Sequence, residues 1–198
     1  MAPPRFLICS LGNPLPAYNS LHSAGHFALQ SFQRFLAPTQ PPWTQAKRGG
    51  LECLESHSAS YSLMQSPTLM NSSGPWVANV WQEMLKKEGL ETRDLGLVVV
   101  YDELEDPLGY TRLRSWNTSH RGHNGLKSTK AQLKKEKYPG ARWFRISIGI
   151  DRPSSRERNV VADYVSRKMT DEQREIIQDN TGPRISACLG KLQEGWKH

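Results

Sequence analysis

The stretch "RFLICSLGNPLPAYNSLHSAGHFALQSFQRFL", Arg5 to Leu36, sets the fold class. Its apolar opening, Arg5–Leu11, reads as a buried strand. From Ala24 to Leu36 apolar residues recur at helical spacing, which predicts a helix with Ala28, Phe32, Phe35 and Leu36 on one face. Strand, turn and helix in that order often cradle a phosphate on closely spaced glycines. This turn does not suit that task. Gly12 is followed by Asn13, Pro14 and Leu15, and Gly25 lies too far on to complete a fingerprint. Neither a Walker A sequence nor GxSxG occurs elsewhere. The turn offers side chains instead: Asn13, Tyr18 and His22.

Outward from that unit, strands and helices alternate. "APTQPPWTQAKRGG", Ala37 to Gly50, reads as a loop, and "LECLES" and "YSLMQS" as strands about the turn "HSAS". A helix follows "PTLMN", with Ser72 or Ser73 as its cap and Pro75 in its first turn. Val77, Val80, Trp81, Met84 and Leu85 keep its spacing and Gly89 ends it. "LGLVVVYD" predicts a central strand covered on both faces. "YTRLRS" alternates as a strand, "HNGLKSTKAQLKK" reads as a basic helix and "RWFRISIGI" as a buried strand. "TDEQREIIQDN" and "PRISACLGKLQEG" read as two C-terminal helices. The expected fold is one α/β domain over residues 1–198, an α/β/α sandwich on a mixed, mostly parallel sheet.

Bulk composition agrees with a globular chain: 198 residues, 37% hydrophobic and 23% charged. No apolar stretch approaches the ~18 residues of a membrane span. "MAPPRF" has no signal-peptide core and is not an arginine-rich presequence, so the expectation is a cytoplasmic protein, with a mitochondrial setting as the alternative. Cys9, Cys53 and Cys188 are far apart and form no CxxC, which argues against a disulfide framework or a zinc site. Net charge is +7 and unevenly placed. Between Arg112 and Arg145 stand ten basic residues and one acid, Glu136. A solvated helix face is the ordinary fate of such a run, but so localised an excess is the footprint of a polyanion binder.

His22 stands just before a helix, and Asp102 ends the probable central strand. Sites in open α/β sheets gather at the carboxyl ends of strands. An acid there can orient an imidazole and stabilise its protonated form. Alone, a histidine at a helix entry is more often a structural hydrogen-bonder, and Asp102 alone reads equally well as the cap of a turn. Asn13, Asn71 and Asn124 share that end of the chain's elements. Each suits a cap or an Asx-turn, and each can also hold a carbonyl or an oxyanion. With no nucleophilic serine in a recognised setting, the set suggests hydrolysis by water. Metal-ligand spacing is lacking, so no metal and no cofactor are expected.

In order, four motifs resemble those of the bacterial-type peptidyl-tRNA hydrolase family. "LGNP…Y…HSAGH" is similar to GNPG…Y…TRHNAG, "PTLMNSSG" to PxxFMNxSG, "VVVYDELEDPLG" to VxHDELDLPxG, and "RGHNGLKS" to GGHNGLKS. "RWFRISIGIDRP" and "VADYVSRKMTDEQ" extend the resemblance, which runs from about Phe6 to Ile177. The "LHSAGH" form points to a eukaryotic, fungal variant. The resemblance implies cleavage of the ester between a peptide and the terminal ribose of tRNA. It implies His22 as general base, Asp102 as its orienter, and Asn13, Asn71 and Asn124 as amides on the peptide ester. Tyr18 would form the tRNA-proximal wall. Leu69 and His123 would lie beside the substrate, and Arg112, Arg114 and Arg145 would meet phosphates within a tRNA-binding segment, 112–145. A monomer with no obligate protein partner is the default expectation. The chain departs from the pattern at Leu15, at Ser23, at Leu69, in a Tyr18–His22 spacer one residue short, and in the lid "SWNTSHRG", Ser115 to Gly122. Two other readings stay open: an RNA-binding protein without catalysis, and a different hydrolase such as a peptidase.

Overall fold

The computed structural model describes residues 4–196. The reading of "MAPPRF" falls partly on residues 1–3, outside the described residues, as do positions 197–198 of the expected domain. Seven strands form one sheet: β1 (Arg5–Ser10), β2 (Thr44–Arg48), β3 (Leu51–His57), β4 (Tyr61–Gln65), β5 (Leu95–Glu103), β6 (Thr111–Ser115) and β7 (Trp143–Gly149), in the order β2-β3-β4-β1-β5-β7-β6. The middle strands β4, β1, β5 and β7 are parallel. Antiparallel pairs close both margins, β2–β3–β4 on one side and β7–β6 on the other. The sheet is therefore mixed, with a parallel centre.

Five helices cover it: α1 (Ala24–Leu36), α2 (Ser73–Glu88), α3 (Asn124–Gln132), α4 (Arg158–Ser166) and α5 (Asp171–Glu194). Strand alternation sends side chains to two cores. Leu7, Cys9, Leu97, Val99 and Tyr101 meet Val77, Val80, Trp81 and Leu126 of α2 and α3. Ile8, Val98, Val100 and Ile146 meet Ala28, Phe32, Ile185 and Leu189 of α1 and α5. β5 is buried along its whole length, as an apolar run between two helical layers must be.

Several sequence expectations need correction. Phe35 lies 50% exposed rather than on the buried face of α1, because α5 covers that helix on the side of Ala28 and Phe32. The loop expected over Ala37–Gly50 contains β2, a largely exposed margin strand with too little apolar patterning to be seen. Neither Ser72 nor Ser73 caps α2 through its side chain; the Ser73 hydroxyl donates backward to the Met70 carbonyl at 3.0 Å. Helix α4 was not foreseen and has no fully buried residue. The two C-terminal helices are one, running through Pro183. Proline within a helix removes one backbone bond and normally kinks it. Here Ser31 of α1 bridges the turn: its hydroxyl donates to the Gln178 carbonyl at 2.5 Å and accepts from the Gly182 N–H at 2.9 Å. Continuity there depends on packing between helices, which a proline rule applied to sequence does not register.

Candidate active site

The carboxyl ends of β1 and β5 bring the opening turn against Asp102. The turn forms two short 3-10 segments, Ala17–Asn19 and Leu21–Ser23, the second leading directly into α1. Its backbone is tied to the segment after α4: Leu21 N–H donates to Arg167 O at 3.1 Å, and Met169 N–H to Asn19 O at 2.9 Å. The shortened spacer is thereby fixed in place. Its single early glycine has a packing reason. A Cβ on Gly12 would stand 2.4 Å from Nε2 of the buried His26, whose Nδ1 pairs with Ser10 Oγ at 2.8 Å. Burial holds the His26 imidazole neutral, with its pKa lowered to about 3.

His22 Nδ1 lies 2.9 Å from both carboxylate oxygens of Asp102. A second imidazole shares that acid: His123 Nε2 is 2.9 Å from Asp102 Oδ1. His123 is also the N-cap of α3, where its Nδ1 accepts the Leu126 N–H at 3.2 Å. That bond fixes the tautomer, since a neutral imidazole that accepts on Nδ1 must carry its proton on Nε2 and donate it to Asp102. His22 likewise donates from Nδ1, which leaves Nε2 as a base. The ring is 15% exposed, and among the described residues Nε2 has no hydrogen-bond partner. Burial alone would raise the Asp102 pKa, but the two imidazoles outweigh it and hold the carboxyl well below its ordinary range. For His22 burial favours the neutral ring, yet the Asp102 charge and hydrogen bond prevail and raise its pKa above 6.5.

His22, Asp102 and His123 also present three atoms within 4.8 Å, a grouping that could hold a cation. The tautomer works against it. His123 Nε2 could ligate only after losing its proton, and Nδ1 would then need one while facing the Leu126 N–H.

The amides are prepared to different degrees. Asn13 Oδ1 accepts the Met70 N–H at 3.0 Å, and its own backbone N–H donates to Ser23 Oγ at 3.0 Å. The side-chain carbonyl is thus engaged and Nδ2 remains as a directed donor. Ser23, where the resembling motif has asparagine, serves as the prop of Asn13. Asn71 and Asn124 are exposed, and neither side chain has a partner among the described residues. The segments that carry them pack tightly, α3 against the Met70 turn: a Cβ on Gly125 would come within 2.4 Å of Met70 Sδ. Leu69 is 63% exposed beside them. Tyr18 is turned inward. Its hydroxyl donates to Gln65 Oε1 at 2.8 Å and accepts from Gln30 Nε2 at 2.9 Å, and its ring stacks on His26. With Pro14, Cys53, Leu54 and Pro67 it lines a cavity of about 200 Å³ next to the turn.

The basic residues part company. Arg112 is exposed, lying over the Tyr110 ring and 3.5 Å from Asp106. Arg114 is largely buried and bound to Asp106 at 2.9 Å. Arg145, expected at a phosphate, is buried here, and its guanidinium is bonded to loop carbonyls. The exposed cations of the segment are instead Arg112, Arg121, Lys127, Lys134, Lys135 and Lys137. The second imidazole on Asp102 is not evident from the sequence, which sets His123 only beside the substrate. Its signal in sequence was a histidine directly before the helix start "NGLKS".

Residues 7–197 match the peptidyl-tRNA hydrolase family. The chain is similar to the probable peptidyl-tRNA hydrolase of Schizosaccharomyces pombe, at 31% identity over 188 residues, covering 94% of this chain and 82% of that protein. It is similar to the peptidyl-tRNA hydrolase of a Sulfurihydrogenibium species at 32% identity over 189 residues, covering 95% and 91%. In fold it is similar to a crystal structure of a peptidyl-tRNA hydrolase with N-propanol, with a TM-score of 0.68 at 22% identity, covering 97% and 92% of the two chains. The structure of the Acinetobacter baumannii peptidyl-tRNA hydrolase is similar with a TM-score of 0.63 at 20% identity, covering 98% and 96%. The match reaches every strand of the sheet and every motif that builds the histidine–aspartate cluster, and the chain belongs to the peptidyl-tRNA hydrolase family.

Proposed function

We propose that this chain hydrolyses the ester joining a peptide, or an N-blocked amino acid, to the 3′-terminal ribose of tRNA, with His22 as the general base. The observation that supports it most is the His22 ring, tied by Nδ1 to both oxygens of a buried carboxylate with Nε2 left as a base. His22 Nε2 takes a proton from water as the water attacks the ester carbonyl. Asp102 stabilises the imidazolium and fixes its tautomer, and His123 holds Asp102 in line. The Asn13 amide N–H, directed by the Met70 bond, faces the developing oxyanion. One such donor is worth roughly 3–4 kcal/mol in favourable cases. The tetrahedral intermediate collapses, His22 returns the proton to the ribose oxygen, and tRNA leaves. General-base help of this kind contributes about 10²–10⁴-fold.

Asn71 and Asn124, at the rim, hold the peptide, with Leu69 beneath it and Tyr18 on the tRNA side of the turn. The exposed cations Arg112, Arg121 and Lys127 take phosphates. The reading includes a monomer that works in the cytoplasm or mitochondria. No described helix is long and apolar enough to cross a membrane. The test is release of the acyl group from N-acetyl-aminoacyl-tRNA against free aminoacyl-tRNA. Turnover of the blocked substrate is expected; binding without turnover of either would favour an RNA-binding protein.

A further inference from the structure

The cavity beside the opening turn lies outside the histidine–aspartate cluster, and one polar group in its lining is unsatisfied. Gln65 ends β4 and is 4% exposed. Its Oε1 accepts from the Tyr18 hydroxyl at 2.8 Å, while that hydroxyl accepts from Gln30 Nε2 at 2.9 Å. A hydroxyl has one proton to give, so Gln65 must turn its oxygen to Tyr18. Gln65 Nε2 is then left buried, with no partner among the described residues. A buried donor left unpaired is costly, which points to an acceptor brought by a ligand.

The lining selects that ligand. Pro14 belongs to it and directly follows Asn13, the amide set on the oxyanion, so the cavity adjoins the place of the ester. A volume of about 200 Å³ suits one planar ring rather than a drug-sized molecule. Tyr18, held at its hydroxyl and stacked on His26 with centroids 5.4 Å apart, makes one rigid wall. A phosphate finds no cation there. His26 is buried and neutral, and Glu52 adds a carboxylate to the lining. The exposed cations Arg112 and Lys127 lie on β6 and α3 instead, and β6 is the far margin of the sheet from β3. The occupant is therefore planar, rich in acceptors and close to the ester. Peptide side chains vary from substrate to substrate, whereas a buried donor fixed in place suits a group that does not. The base on the ester-bearing ribose is adenine in every tRNA.

We propose that this cavity seats the terminal adenine of tRNA: Gln65 Nε2 donates to a ring nitrogen of the base, the Glu52 carboxylate accepts from its exocyclic amine, and Tyr18 flanks the ring. Adenine offers that pair of groups, an acceptor nitrogen beside a donor amine, and amide side chains commonly read it. Unstacked bases are also commonly set against aromatic side chains. Seating the base holds the adjoining ribose, and with it the ester, beside Asn13. The assignment deepens the hydrolase reading above and rests on it.

The test compares wild type with Gln65→Leu and Leu54→Trp, below each variant's melting temperature. Leucine removes the donor at similar volume, and tryptophan fills the cavity from β3 while leaving Gln65 in place. Binding is measured with uncharged tRNA and with the same tRNA lacking its terminal adenosine. Wild type should bind the complete tRNA about 10-fold more tightly, and both variants should lose most of that difference. Turnover is measured on N-acetyl-aminoacyl-tRNA ending in adenosine or, by substitution, in cytidine. The cytidine end should raise the wild-type KM by roughly 10-fold, whereas each variant should show a raised KM for both ends alike. Equal binding of complete and truncated tRNA by wild type would overturn the proposal, as would a difference undiminished in either variant. So would a KM change in the variants that follows the amino acid instead of the terminal base, which would make the cavity an acyl pocket. If wild type releases nothing from the blocked substrate, the hydrolase reading fails. The binding comparison then decides by itself whether the base is seated here.

Discussion

The cluster around Asp102 and the basic segment from 112 to 145 share His123 and Asn124, yet they are assembled in opposite ways. In the cluster, two imidazoles from distant places in the chain converge on one carboxylate through bonds of 2.9 Å. In the basic segment, residues close in sequence diverge. Arg145 turns into the protein, Arg114 is held by Asp106, and Arg112 and Lys127 stay outside. Charge counting therefore locates a surface for a polyanion without saying which cations lie on it. Convergence of titratable groups at strand ends is a more specific signal, because each member has a physical need for the others.

That contrast can be broken by separating rate from affinity. The largest effect belongs to His22→Ala, which should lower single-turnover release by roughly 10³-fold while leaving the tRNA dissociation constant within about threefold. An equal loss of both would place His22 in binding rather than chemistry. Arg114→Ala should act on stability. It leaves Asp106, only 6% exposed, without its nearest cation, at a cost of about 3 kcal/mol and a fall in Tm of roughly 10 °C. A Tm unchanged within error would mean that the Asp106 pair contributes nothing. Arg112→Ala should be the mildest. A rise in KM of about fivefold is expected, with the salt slope of kcat/KM flattened by roughly one and kcat unaffected. An unaltered slope would move the tRNA surface away from β6.

Much of this was legible in the residues. The apolar run Leu95–Tyr101 could only be a strand between two layers, and the glycine-poor turn before α1 argued for side-chain chemistry. Asn13, His22 and Asp102 were visible because each stands just past or just before an element with clear periodicity. Other features depend on partners distant in sequence. Nothing local tells that Ser31 would carry α5 through Pro183, or that Ser23 would prop Asn13. The fate of Arg145 was hidden for the same reason: its acceptors are backbone carbonyls about thirty residues away, which have no signature in sequence.

The opening turn holds its meaning through the state of one ring, and the pH dependence of single-turnover hydrolysis reads that state directly. In the proposed mechanism the neutral His22 ring is the active form, and Asp102 raises its pKa above 6.5 against the opposing effect of burial. Wild-type rate should therefore climb with pH through a value above 6.5 and then level off. In Asp102→Asn only burial remains, so the climb should move to lower pH while the plateau falls by roughly 10²-fold or more. An acid limb at the same pH in both proteins would contradict the account, because it would mean that the titrating group is not His22 held by Asp102.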